Sequence, residues 1–299
     1  MNFALLLLPD FLLIIGGALL KRTRGYDQAF WSGVERLVYF VLFPALLFRS
    51  IARSPLVLED AARLIATGVA FTLAGMLLSL LAKPLLRLPH PTFAACFQCG
   101  FRFNTYIALA AASRYGGESA LALISLLVGV LVPLANFAAV GMLARGGRGR
   151  VVVELARNPL VLACVAGYAW RWSGLDLPEI AAHILELLAA AALPLGLLAV
   201  GAGLTLTRTS LPLPALAWWH GVKLVALPAI ALGVGHALAL PVNERAIAVI
   251  MAAVPTAPSA YILATQMSGH GAPVALLISS GTVIAAVTLP LWLAIAGMG

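Results

Sequence analysis

Charge is scarce in this chain: 10% of its 299 residues are Asp, Glu, Lys or Arg, against about 25% in a soluble domain. With 62% hydrophobic residues and a mean hydropathy of +1.02, the shortage excludes an ordinary soluble enzyme and indicates an integral membrane protein. Long polar stretches are absent too, so there is no room for a soluble domain. The net charge of +8 sits in short loops between apolar runs, which suits membrane topology better than nucleic-acid binding. Only three cysteines occur, all in apolar stretches. Cys96-Phe-Gln-Cys99 has redox or zinc spacing but lacks a second pair or a nearby histidine, so small core or lipid-facing residues are the expectation. No Gly-rich phosphate loop is present, which argues against ATP-driven transport by this chain alone. His220 and His236 share one apolar run too far apart to ligate one ion, so neither a metal nor a cofactor is expected. The first apolar run has no positive charge before it, unlike a cleavable signal, and is expected to remain as a span.

At about 20 apolar residues per span, about ten helices are predicted. Five precede mid-chain: Phe3–Leu20, Trp31–Ile51, Ala62–Ala82, Phe93–Arg114 and Ala120–Ala144. Five follow: Val152–Trp172, Ala181–Thr205, Ala215–Leu240, Ala246–Ser268 and Pro273–Ala296. The basic stretch Arg145-Gly-Gly-Arg-Gly-Arg150 separates a repeat over 1–147 from a second over 148–299. Five spans per repeat would invert the second relative to the first. Loops after odd-numbered spans hold Lys21, Arg22, Arg24, Lys83, Arg87, Arg145, Arg148, Arg150, Arg157 and Arg208, whereas those after even-numbered spans hold Arg53, Arg114, Arg171 and Arg245. Lys and Arg excess marks the cytoplasmic side, so both termini are expected outside and the hinge inside.

One span in each half is damaged. The fourth carries Arg102 and Asn104 in apolar surroundings. The ninth carries Pro255-Thr256-Ala257-Pro258-Ser259, whose prolines remove backbone donors and should unwind it. Interrupted segments at corresponding positions of two halves point to a transporter's binding site. Asn104, with Thr105 beside it, could bind an anion's oxygen where two half-helix N-termini meet, or simply hydrogen-bond between helices. Arg102 could hold a carboxylate through two parallel hydrogen bonds, or snorkel to the interface. Pro255 and Pro258 would free backbone groups for substrate, and Thr256 and Ser259 would add hydroxyls. The alternative is a proline kink without a binding role.

Two further residues could carry charge or coupling. Lys223, within the eighth span, could support a dianion or pair structurally with an acid. Glu186, in the seventh, is the deepest carboxylate and so a candidate for proton coupling, although its place near a helix end, one turn from His183, also suits contact with water. Asp10 is a weaker candidate of the same kind.

The motifs Phe101-Arg-Phe-Asn-Thr-Tyr-Ile-Ala-Leu109, Ala253-Val-Pro-Thr-Ala-Pro-Ser-Ala-Tyr-Ile-Leu-Ala264 with Gln266-Met-Ser-Gly269, and Ser279-Ser-Gly-Thr-Val-Ile-Ala-Ala-Val-Thr-Leu-Pro290 resemble those of the auxin efflux carrier family. The resemblance runs over essentially the whole chain. It implies an all-α integral membrane fold of about ten helices in two inverted five-helix repeats, with the fourth and ninth helices broken and crossing at mid-membrane. It also implies a scaffold of spans 1, 2, 6 and 7 beside a transport domain of spans 3–5 and 8–10, related to bile-acid symporters and sodium–proton antiporters. Plant members of the family move the auxin carboxylate, and bacterial members are associated with dicarboxylates such as malate and malonate. Thr105 stands where plant members have a proline, which implies a gentler first break. The long cytosolic loop of many plant members is missing, so regulation through it is not expected.

The resulting expectation is a secondary active carrier of small organic anions working by an elevator mechanism in a bacterial inner membrane. Its partners would be the anion, a coupling proton or sodium ion, the bilayer and a second copy in a homodimer, with no nucleic acid. An anion channel is one rival reading. An intramembrane enzyme is another, although Ser259 has no matched base in the sequence.

Overall fold

The computed structural model describes residues 3–23, 26–53, 58–143, 158–204, 211–268 and 270–296. The mid-chain hinge residues Arg145, Arg148, Arg150 and Arg157, together with Arg24, Arg208 and Gly269, lie outside them. Among the described residues the structure is entirely helical. The helices are α1 (Phe3–Thr23), α2 (Gln28–Leu37), α3 (Phe43–Ala52), α4 (Leu58–Leu86), α5 (His90–Phe97), α6 (Thr105–Leu143), α7 (Pro159–Ser173), α8 (Glu179–Gly203), α9 (Leu213–Gly221), α10 (Leu227–Ala237), α11 (Val242–Ala253), α12 (Ser259–Ser268) and α13 (Gly271–Ile295). Five stretches are long and apolar enough to cross a membrane: Ala61–Leu86, His90–Leu143, Glu179–Gly203, Leu213–Ala237 and Gly271–Ile295.

The surface identifies the solvent. Along α1, Leu5, Leu8, Leu12, Ile15 and Leu19 recur at helical spacing and are exposed, while Leu7, Asp10 and Ile14 on the other face are buried. The same outward stripe runs through Leu73, Leu77, Leu81 and Leu85 of α4 and Val283, Val287, Leu291 and Ile295 of α13. Apolar faces this extensive would aggregate in water and are at ease against acyl chains.

Prolines shape several of the helices. Pro44 and Pro228 each follow a π-helical turn, at Val38–Leu42 and Val222–Ala226. There the N–H of Phe43 bonds Val38 O and that of Leu227 bonds Val222 O, an extra residue back. Such a widened turn accommodates the proline ring and its missing donor. The carbonyl that Pro228 deprives of a partner, Leu224 O, accepts from Trp292 Nε1 at 2.8 Å. In α6, Gly116 and Gly117 leave helical geometry, Gly117 at φ 58°. This left-handed residue, which a side chain would strain, turns the chain where the fourth predicted span ends and the fifth begins.

Packing gathers the helices into two groups. In one, α1 lies along α8, and α3 lies against α7 and α8. In the other, α10 packs on α4 and α11, and α11 packs on α6 and α13. The α1–α8 contact is backbone on backbone: a Cβ on Gly17 would stand 1.9 Å from Leu198 O, and one on Gly201 would stand 1.7 Å from Ile14 O. Helix α6 touches both groups.

Candidate functional site

The two sequence interruptions meet in space. After α5, the turn Gln98–Gly100 and residues 101–104 leave the helix; after α11, residues 254–258 do the same. The first break is therefore as complete as the second, contrary to the gentler bend expected from Thr105. Asn104 makes a proline unnecessary: its Oδ1 accepts from the N–H groups of Tyr106 at 3.0 Å and Ile107 at 3.3 Å. This side-chain cap starts a new helix and terminates the old one.

Broken backbone inside a membrane must find partners within the protein, and here each break supplies the other. The Asn104 N–H donates to Pro255 O at 2.8 Å. Thr256 Oγ1 donates to Cys99 O at 2.8 Å, and Gln98 Nε2 donates to Ala260 O at 3.1 Å. Lys223 Nζ donates to Ala252 O at 2.5 Å, at the carbonyl end of α11. A cation is favourable at the negative end of a helix.

Thr256 and Lys223 thus complete the crossing. Neither lines the adjoining cavity, and neither does Pro255; the substrate-facing hydroxyl expected of Thr256 is instead spent on a carbonyl. Both side chains are buried.

Beside the crossing lies a cavity of about 350 Å³ whose wall includes Arg102, Asn104, Thr105, Pro258 and Ser259. These five are the sequence-predicted residues that the fold brings together. The α6 N-terminus enters the cavity wall at Thr105 and Tyr106, and the α12 N-terminus at Ser259. Two helix N-termini therefore converge on one space, each presenting the positive end of its dipole. The Asn104 side chain is buried and its Nδ2 has no hydrogen-bond partner among the described residues, so one donor remains beside the cavity. Apolar walls come from Phe40, Val140, Leu160, Val200, Ile262 and Leu263. Leu160 and Val200 belong to the α1–α3–α7–α8 group, so the cavity lies between the two packing groups.

Arg102 is the buried charge of this wall, which also holds Glu35 and Arg36. It is 9% exposed. Its Nη1 donates to Gln98 Oε1 at 2.7 Å and its Nη2 to Asn136 Oδ1 at 2.6 Å. It does not snorkel. Both partners are neutral amides, and among the described residues no carboxylate forms an ion pair with it. Gln98, Asn136 and Tyr39 went unnoticed in the sequence. A glutamine or asparagine inside an apolar run is itself a signal in a membrane protein, and attention to every such residue would have found the first two.

Glu186 stands elsewhere. Its side chain is 56% exposed and lies 3.8 Å from Arg49 Nη2, in a second cavity of about 410 Å³ lined also by Asp10, Arg114 and Glu118. Two ion pairs there join the packing groups: Arg49 with Glu118 at 2.6 Å, and Arg114 with Asp10 at 3.4 Å. The first cavity has the ends of α6 and α8 and the start of α7 around it. The ion pairs occupy the opposite end of the molecule. Cys96, Cys99 and Cys164 are buried and unpaired.

A family model described as a membrane transport protein matches residues 148–293. This stretch contains the second break but not Arg102 or Asn104. No curated protein matches the chain.

Proposed function

We propose that this chain, of which residues 148–293 match a family model described as a membrane transport protein, is a transporter of the auxin efflux carrier family and carries small organic anions as a secondary transporter. One observation carries the anion: Arg102, buried in the cavity wall and, among the described residues, held by the neutral oxygens of Gln98 and Asn136. A buried cation without a counter-charge is costly, and a bound carboxylate would relieve that cost through charge-assisted hydrogen bonds. Asn104 Nδ2 and the N-termini of α6 and α12 add neutral donors around the same anion. The apolar side chains Phe40, Val140, Leu160, Val200, Ile262 and Leu263 suit the body of a small organic acid, while Glu35 and Arg36 add one charge of each sign to the wall.

On this reading the ten spans form two inverted repeats. Spans 1, 2, 6 and 7 are the scaffold, and spans 3–5 and 8–10 carry the site. The packing of α1, α3, α7 and α8 apart from the helices of the crossing supports that division. The cavity then faces the side where α6 ends and α7 begins, taken as cytoplasmic, while the Arg49–Glu118 and Arg114–Asp10 pairs close the other mouth. Access alternates as the site-bearing group slides against the scaffold and those pairs part. The loop charges support placing both termini on the outer face of the membrane.

Three experiments test this reading. Carboxylates should raise the melting temperature of the purified protein, because a ligand that binds only the folded state stabilises it by about 2.7 kcal/mol at 100 times its Kd. In proteoliposomes, unlabelled substrate on the far side should accelerate uptake of labelled substrate. Flux indifferent to trans substrate would identify a channel instead. Reporter fusions at Gly147 and after Gly299 should signal from the cytoplasm and the outside respectively; signals from the same side would end the inverted five-plus-five arrangement.

A further inference from the structure

We infer that Asn136 is the charge-selectivity residue of the cavity: by holding Arg102 with an uncharged oxygen it keeps the guanidinium positive and unneutralised, so that the site favours an anion over a neutral ligand of the same shape. The inference rests on the anion reading above and deepens it.

The geometry singles out this residue. Arg102 is gripped from two directions, by Gln98 Oε1 at the end of the first half-helix and by Asn136 Oδ1 on α6. Two fixed partners orient the planar fork, and both Arg102 and Asn136 lie in the cavity wall. Gln98 cannot be exchanged cleanly, because its Nε2 also donates to Ala95 O at 3.2 Å and to Ala260 O at 3.1 Å, tying the two breaks together. The Asn136 side chain makes only the one hydrogen bond among the described residues. An asparagine and an aspartate have nearly the same shape and the same acceptor oxygen; they differ in an amide group and a full negative charge. At 2.6 Å from Nη2, a carboxylate would satisfy the guanidinium permanently. The amide therefore reserves the charge for a ligand, and the single-atom exchange isolates that role from packing.

The test compares Asn136→Asp with Asn136→Ala in detergent-purified full-length protein. The probes are phenylacetate, benzoate, malonate and malate, with phenylacetamide as a neutral analogue of the first. Asn136→Asp should bind carboxylates at least about 30-fold more weakly than the wild type and leave the phenylacetamide affinity within about threefold. Its ligand-free melting temperature should rise, since an ion pair replaces a bond from the charged guanidinium to a neutral amide. Asn136→Ala should keep the cation but lose its orientation, with carboxylate binding weakened less than in Asn136→Asp and a lowered melting temperature. Equal weakening of phenylacetate and phenylacetamide in Asn136→Asp would overturn the inference and leave Asn136 a structural residue. Wild-type carboxylate affinity in Asn136→Asp would overturn it as well. If none of the four carboxylates shifts the wild type at millimolar concentration, it is the anion reading itself that fails, and the melting-temperature comparison still reports whether Arg102 lacks a counter-charge.

Discussion

Arg102→Met should abolish carboxylate binding in a protein that still folds. Hydrogen bonds to charged groups are worth about 1.5–3 kcal/mol each, so losing a two-point contact weakens binding by roughly 100-fold or more at about 1.4 kcal/mol per tenfold. The fold should survive because two opposing effects nearly cancel. Gln98 Oε1 and Asn136 Oδ1 lose their donor, while a buried charge with no counter-ion disappears. Arg102→Lys should recover little, since an ammonium cannot span two amide oxygens and a carboxylate in one plane. Titration of the folded variants by calorimetry reads the effect directly. Unchanged affinity in Arg102→Met would leave the anion to Asn104 and the helix N-termini alone.

The second large effect lies where α1 crosses α8, at the residue that follows Val200 of the cavity wall. Gly201→Ala places a methyl group where Ile14 O already stands, with 1.7 Å between them. Overpacking commonly costs about 1–3 kcal/mol. Here the obstacle is backbone and cannot rotate away, so the cost should reach or exceed the upper end. Gly33→Ala is the matched control, because nothing lies within 4 Å of a Cβ at that helical position. There alanine should stabilise by up to about 1 kcal/mol through its higher helix propensity. The two substitutions should therefore shift the melting temperature in opposite directions. Equal shifts would mean that α1 and α8 are not in backbone contact.

Much of this was readable along the chain. Hydropathy depends only on which residues are adjacent, so the apolar helices lie close to the predicted spans: the run expected at Ala181–Thr205 is Glu179–Gly203, and that at Pro273–Ala296 is Gly271–Ile295. Proline acts on its own turn and the one before, so the unwinding around Pro255 and Pro258 was legible too. Asn104 marked the other break, but as a ligand candidate; that its oxygen caps α6, making the break complete without a proline, is a matter of backbone direction after residue 103.

What the tertiary structure decided is which groups meet. The sequence offers Thr256 as a substrate-facing hydroxyl at the break, and Lys223 as a cation that supports a dianion or pairs with an acid. Only the crossing shows Cys99 O and Ala252 O awaiting donors at those places. For Glu186 the sequence leaves two readings, a deep coupling carboxylate or contact with water near a helix end, and the fold puts it 56% exposed beside Arg49. Asn136 attracted no notice, being 34 residues from the arginine it holds. Apolar periodicity and proline chemistry are local and survive in any window of the sequence. Partnership of buried polar groups joins residues from distant helices, and it exists only once packing has brought them within hydrogen-bond distance.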